Sequence, residues 1–134
     1  MSAQTMTYPA SSQENFPKPS LFHQLPDKAK CSAASLEGLF TGTKQVSLSL
    51  NTGIHIRGEI MTKVFQSASV QRINIKLMDF PGGIFSLSRI SLEDGSVRYS
   101  GRMFSRDYGD MMVLVSDNGN YYFIKTTRQL VMTE

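Results

Sequence analysis

Residues 73–103 read INIKLMDFPGGIFSLSRISLEDGSVRYSGRM, and the period of this stretch decides the fold. Apolar residues recur at every second position, as in Ile73, Ile75 and Leu77, and polar turns interrupt them at Pro81-Gly82-Gly83 and Asp94-Gly95. A period of two belongs to strands with one buried face, and Asp-Gly between such runs is a strong hairpin signal. Three consecutive antiparallel strands follow. Asp94-Gly95 as a two-residue loop sets Leu92 opposite Val97, Ile90 opposite Tyr99, Ser88 opposite Gly101 and Ser86 opposite Met103. Gly82-Gly83 as the loop before it sets Leu77 opposite Ser88, Ile75 opposite Ile90 and Ile73 opposite Leu92. Together the two registers put Ile73, Ile75, Leu77, Ile90, Leu92, Val97, Tyr99 and Met103 on one face. Ser86, Ser88 and Gly101 join them as small residues that let a sheet curve or a second layer approach.

The same period runs outward in both directions. Upstream, Val46, Leu48 and Leu50 alternate with serines, Asn51-Thr52-Gly53 turns the chain, and Ile54, Ile56, Gly58, Ile60 and Val64 continue the apolar face. Downstream, Tyr108-Gly109-Asp110 breaks the ladder, Met111 to Ser116 forms a sixth strand, Asn118-Gly119 turns and Tyr121 to Thr126 forms a seventh. In this last hairpin Leu114 faces Phe123 and Ser116 faces Tyr121, while Val113 faces Ile124 and Val115 faces Tyr122. Apolar residues on both faces call for cover on both sides, from the N-terminal segment or from a second copy in a homo-oligomer. Gln129 to Met132 reads as an edge strand or a helical turn.

Before Lys44 the pattern changes. Between Ser32 and Gly42, Ser32 or Ser35 caps a short helix, Glu37 suits its first turn, Leu36, Leu39 and Phe40 share a face, and Gly42 stops it. Residues 1–30 interleave Pro9, Pro17, Pro19 and Pro26 with Ser, Gln and Asn, and their apolar residues have no period. They read as a disordered or extended tail, in which Phe16, Leu21, Phe22 and Leu25 are suited to lying across a groove. The expectation is one all-β domain over 31–134, an antiparallel meander of six to seven strands forming a small barrel or sandwich, with one short N-terminal helix packed on it.

Composition narrows the class. The chain has 134 residues, one cysteine, no tryptophan and a net charge of +3 with a pI near 9.1. No apolar run approaches the length of a membrane span, and a lone Cys31 excludes a disulfide scaffold. Residues 1–43 balance Lys18, Lys28 and Lys30 against Glu14, Asp27 and Glu37, so the whole excess falls from Lys44 onward. The opening residues have neither a charged n-region nor an apolar run. Localisation leans to an exported protein, periplasmic or secreted, whose leader is missing from this chain.

Chemistry-bearing residues are sparse. His23 and His55 lack metal-ligand spacing, so no metal or other cofactor is expected. Cys31 precedes the helix, where a dipole lowers a thiol pKa, but no oxyanion motif or orienting residue accompanies it. Asp107 and Asp110 flank a turn and suit side-chain-to-backbone hydrogen bonds. No enzymatic activity is expected. On the face opposite the apolar one, Phe80, Phe85 and Phe104 cluster with Met78 and Leu87, and Lys76, Arg89, Arg98, Arg102 and Arg106 occupy the other end. Phe80, Phe85, Arg89, Arg98, Arg102 and Phe104 are therefore the candidate ligand-binding residues of a non-catalytic interaction module for a protein or peptide. The competing arrangement is that the helix covers these phenylalanines.

The short helix followed by VSLSLNTGIHIRGEI, Val46 to Ile60, resembles the opening of Sm-like RNA-binding barrels, in which a helix precedes strongly bent strands and a glycine marks the bend. Gly58 stands at that place. The strand count expected here exceeds that of those barrels, and no second motif of theirs occurs. The resemblance implies a second function, RNA held by Arg57, Lys76, Arg89, Arg98 and Arg102.

Overall fold

The alternation that begins at Lys44 produces seven strands, and an eighth, shorter one precedes the helix. The computed structural model describes residues 19–127. The elements in chain order are β1 (Lys28–Cys31), α1 (Ala33–Thr41), β2 (Gln45–Ser49), β3 (His55–Phe65), β4 (Val70–Leu77), β5 (Ile84–Ser91), β6 (Val97–Phe104), β7 (Asp110–Asp117) and β8 (Asn120–Thr127). They form one antiparallel sheet of order β1-β8-β7-β6-β5-β4-β3-β2, a meander rolled into a half-barrel with α1 packed on it. The all-β class and the helix are as expected, whereas the described residues hold eight strands rather than six or seven. The additional one, β1, is four residues long with two lysines, and its inward residues Ala29 and Cys31 are too small to stand out as an apolar face.

The two ends of the rolled sheet are joined through one residue, by its backbone and its side chain. Asn51, in the β2–β3 turn, donates its N–H to the Lys30 carbonyl at 2.9 Å and accepts from the Lys30 N–H through Oδ1 at 3.0 Å. Both exposed backbone groups of that edge residue are thereby satisfied. Ser32 caps α1 by accepting from the Ser35 N–H, and Leu36, Leu39 and Phe40 enter the core. Lys63 reaches the other helix end and donates to the Phe40 and Gly42 carbonyls at 3.0 and 2.9 Å, where a cation complements the helix dipole.

The core lies on the concave side, where α1 meets Leu48, Ile56, Ile73, Ile75, Leu77, Phe85, Leu87, Tyr99, Met103, Met112, Leu114, Tyr121 and Phe123. Leu21, Phe22 and Leu25 belong to it as well, with Phe22 against Phe80 at 5.2 Å between ring centroids. From Pro19 onward, the segment expected as a tail is packed on the sheet. Phe16 and the Gln129–Met132 element lie outside the described residues.

The central meander has a different register from the expected one. Asp94-Gly95 is not a two-residue loop: Ser91 pairs with Val97, Leu92 N–H bonds the Ser96 carbonyl, and the loop is Glu93-Asp94-Gly95. A two-residue loop of the favoured type needs positive φ at both positions, but only Gly95, at φ +89°, has it here. Asp94 instead uses its carboxylate to accept from Ser96, which fixes the longer loop. The β4–β5 turn is also longer, pairing Lys76 with Ile84 around a Phe80–Gly83 turn with Pro81 and Gly82 at its corners. Both shifts are odd in residue count, so β5 alone turns over. Phe85 and Leu87 point inward, Ile90 joins Ser86 and Ser88 on the convex face, and Leu92 is an exposed loop residue.

The last hairpin has the expected register, with Leu114–Phe123, Ser116–Tyr121, Val113–Ile124 and Val115–Tyr122 pairs. Asn118 and Gly119 both take positive φ there, as a two-residue loop requires. In β3 a bulge between Ile60 and Thr62 reverses the alternation, so Val64, expected on the buried face, lies on the convex side at 47% exposure.

Candidate functional site

The register fixes which side chains meet on the convex face. One cross-sheet row runs Val64, Arg72, Ser88, Ser100 over β3 to β6, and the next runs Thr62, Asn74, Ser86, Arg102, Val113, Ile124, Lys28 over β3 to β1. These rows hold a trough of about 530 Å³. Its floor is the small residues Ser86, Ser88, Ser100 and Gly101, its cations are Arg72 and Arg102, and its apolar wall is Val113, Val115 and Ile124.

The trough has a backbone cause. β6 and β7 pair at only three positions, Gly101–Leu114, Arg102–Val113 and Met103–Met112, and then separate. Continued in that register, Tyr99 would face Ser116. Its N–H is taken instead by the Tyr121 hydroxyl at 3.1 Å, from the concave side. Gly101 sits at the point of divergence, where a Cβ would collide with the Ser86 carbonyl oxygen and with Leu87. The backbone therefore approaches β5 more closely there than a side chain would permit.

Both arginines are held but have ligating capacity left. Arg72 donates from Nε to Ser88 Oγ at 3.2 Å, and the Arg102 guanidinium lies over the Phe104 ring at 5.3 Å. Among the described residues neither forms an ion pair. No carboxylate lines the trough.

The expected site residues are divided between the two sides of the sheet. Phe85 is buried against Phe123 with ring centroids 5.5 Å apart, and Phe80 is buried against Phe22. Arg98, Arg102 and Phe104 are on the convex face, as are Lys76 and the exposed Met78. Arg57 is engaged by Asp79 at 2.7 Å. Arg89 points to the concave side, where it meets Glu37 at 2.8 Å. Sequence reasoning missed the serine floor because the assumed loop turned Ser86 and Ser88 inward, and missed Arg72 because the expected strand begins only at Ile73, three residues inside β4. The signal that finds them is serine at alternate positions of β5 read with a three-residue loop.

Glu37 lies in mid-helix rather than in the first turn. It accepts from Arg89 and from the Tyr99 hydroxyl, tying α1 to β5 and β6. Hydrogen bonds from Tyr99 and Arg89 hold its carboxyl below the usual range, and burial, with the bond to Glu37, pushes the Tyr99 hydroxyl up to about 12. Glu37→Gln should lower stability by about 0.5–1 kcal/mol, since the pair is partly exposed. Because Glu37 titrates lower in the folded chain, this contribution is complete above its unfolded value and is lost as pH falls through the folded one. Urea midpoints of the variant and the wild type should accordingly converge in acid.

The remaining reactive groups are committed elsewhere. Cys31 is buried, which pushes its thiol up to about 11 and keeps it protonated at neutral pH. His55 is exposed and shares a hydrogen bond with Ser49 at 3.0 Å. Asp110 accepts from Ser20 and from two backbone N–H groups of the N-terminal segment. Among the described residues, no three His, Cys, Asp or Glu side chains converge on a metal-sized site, and no helix is long and apolar enough to cross a membrane. No family model, curated protein or solved structure matches the chain.

Proposed function

We propose that this protein is a non-catalytic interaction module that holds an extended segment of another protein across the convex face of β4 to β8. The trough over the β6–β7 divergence carries this reading, because it combines two guanidinium groups that have no carboxylate partner among the described residues, a bed of hydroxyls and an aliphatic wall. Such a surface offers directional donors along one side and apolar contact along the other, as an extended chain with alternating side chains requires. The site is open and shallow, which suits a segment laid across strands better than a small molecule that must be enclosed.

RNA has less support. Of the five cations implied for it, Arg57 is tied to Asp79 and Arg89 to Glu37, and no aromatic ring lines the trough to stack a base.

Selection from a displayed random-peptide library tests the proposal. Enriched peptides should bind the wild type and lose tenfold or more in affinity to Arg102→Glu, whose unfolding free energy should stay within about 0.5 kcal/mol of the wild type because Arg102 is exposed. The proposal fails if no peptide is enriched or if the enriched peptides ignore Arg102→Glu. Binding of mixed RNA with a steep salt slope, in place of peptides, would instead establish the nucleic-acid reading.

A further inference from the structure

We infer that the segment held by this trough is acidic, with two carboxylates spaced about four residues apart and a small aliphatic side chain between them. This rests on the peptide reading above and specifies its partner. The first ground is charge. Outward positions of β1, β4, β5, β6 and β8 carry Lys28, Lys30, Arg72, Lys76, Arg98 and Arg102, while the acidic residues of this face, Asp117 at the end of β7 and Glu59 opposite Lys76 on β3, do not line the trough, so the field over the trough is positive. On the concave side Glu37 and Arg89 neutralise one another as an ion pair.

The second ground is spacing. Arg72 and Arg102 sit two strands apart, with Ser86 and Ser88 of β5 between them, and their rows are offset by two residues along the strand. Neighbouring strands lie about 4.8 Å apart and residues rise about 3.3 Å, so the two Cα atoms are separated by about 12 Å. An extended segment covers that distance in about four residues. Its alternate side chains then face the sheet, with a carboxylate at each end of the span and one residue between them.

The third ground is the geometry of the donors. One Arg72 donor is used on Ser88, which fixes the guanidinium and leaves its terminal nitrogens for a carboxylate. Arg102 rests on Phe104, which restrains its plane without using a hydrogen bond. Val113 directly opposes Arg102 and Ile124 opposes Val113, so a short apolar side chain meets aliphatic carbon rather than charge. Phosphate would satisfy the arginines but would leave this wall without a partner.

The test is fluorescence anisotropy on the whole chain with labelled peptides of about nine residues, carrying two glutamates about four apart around a valine on a threonine background. Matched peptides replace both glutamates by glutamine or by lysine, and a short mixed-sequence RNA serves as the competing polyanion. The glutamate peptide should bind at least tenfold tighter than its glutamine counterpart, and the lysine peptide should not bind. Arg72→Gln and Arg102→Gln should each cost about tenfold, Arg102→Lys should also weaken binding because the planar fork is lost, and Lys76→Gln should change little.

Equal binding of the glutamate and glutamine peptides, abolished by Val113→Lys, would overturn the acidic preference and leave the peptide module standing. Equal losses from Lys76→Gln and Arg102→Gln would overturn the site in favour of diffuse charge. Binding of RNA in preference to every peptide would overturn both readings.

Discussion

Phe85→Ala should destabilise the protein by about 3–5 kcal/mol, a large share of the stability of a domain this size. Phe85 is 1% exposed, opposes Met103 across β5–β6 and meets Phe123 edge-on at 5.5 Å. Truncation leaves a cavity whose lining comes from three strands of one rolled sheet, so no single side chain can move in to fill it. Phe104→Ala is the control: its ring is on the convex side and only half-buried, and the loss should be about 1 kcal/mol or less. Urea unfolding of both variants separates two registers as well as two environments. If Asp94-Gly95 closed a two-residue loop, Phe85 would project outward with Phe104 and both substitutions would be mild. A Phe85→Ala variant within about 0.5 kcal/mol of the wild type would therefore refute the three-residue loop and the inward face of β5 together.

That contrast also explains what could be read from the sequence. Strand existence follows from the period of two, which is local, and all seven expected strands occur. The relation between strands depends on loop geometry, where one residue reverses a face. Asn118-Gly119 is legible because asparagine tolerates positive φ, and the register derived from it is the observed one. At Asp94-Gly95 the aspartate bonds Ser96 instead of adopting positive φ, and the same dipeptide closes a longer loop.

The two misjudged turns offset one another for β4 and β6, so Ile73, Ile75, Leu77, Tyr99 and Met103 are inward as expected, and only β5 is reversed. Of the six candidate site residues Phe85 and Arg89 belong to β5, so its reversal divides the site while leaving the strand order of the fold intact. Phe85 and Arg89 went to the concave side, and Ser86 and Ser88 became the floor of the trough. The divergence of β6 and β7 has no local sequence signature at all. It depends on Tyr121 reaching Tyr99 across the core and on Gly101 lying close to β5.

Asp110→Ala should cost about 2–4 kcal/mol, and the cost should be concentrated in the segment before β1. This carboxylate accepts from Ser20 Oγ at 2.7 Å, Leu21 N–H at 2.8 Å and Phe22 N–H at 3.0 Å, across some ninety residues of chain. Without it, two buried backbone donors lose their acceptor, and a buried donor left unpaired carries its full desolvation penalty. Phe22 and Leu21 then lack the anchor that seats them against Phe80 and the rest of the core. Asp110→Asn keeps one acceptor oxygen and should fall between the alanine variant and the wild type.

Burial works to raise the Asp110 pKa, but the bonds from Leu21, Ser20 and Phe22 outweigh it, so the carboxyl titrates below its ordinary value near 3.8. A carboxylate with a depressed folded pKa contributes fully above the unfolded pKa and loses that contribution as pH falls through the folded one. The stability gap between wild type and Asp110→Asn should thus be widest near neutrality and close progressively below about pH 4. Hydrogen exchange localises the effect: in Asp110→Ala the Leu21 and Phe22 amides should exchange much faster, while amides in the β7–β8 ladder follow only the global change. Unchanged protection at Leu21 and Phe22 would show that apolar contacts alone seat this segment and that Asp110 merely accompanies them.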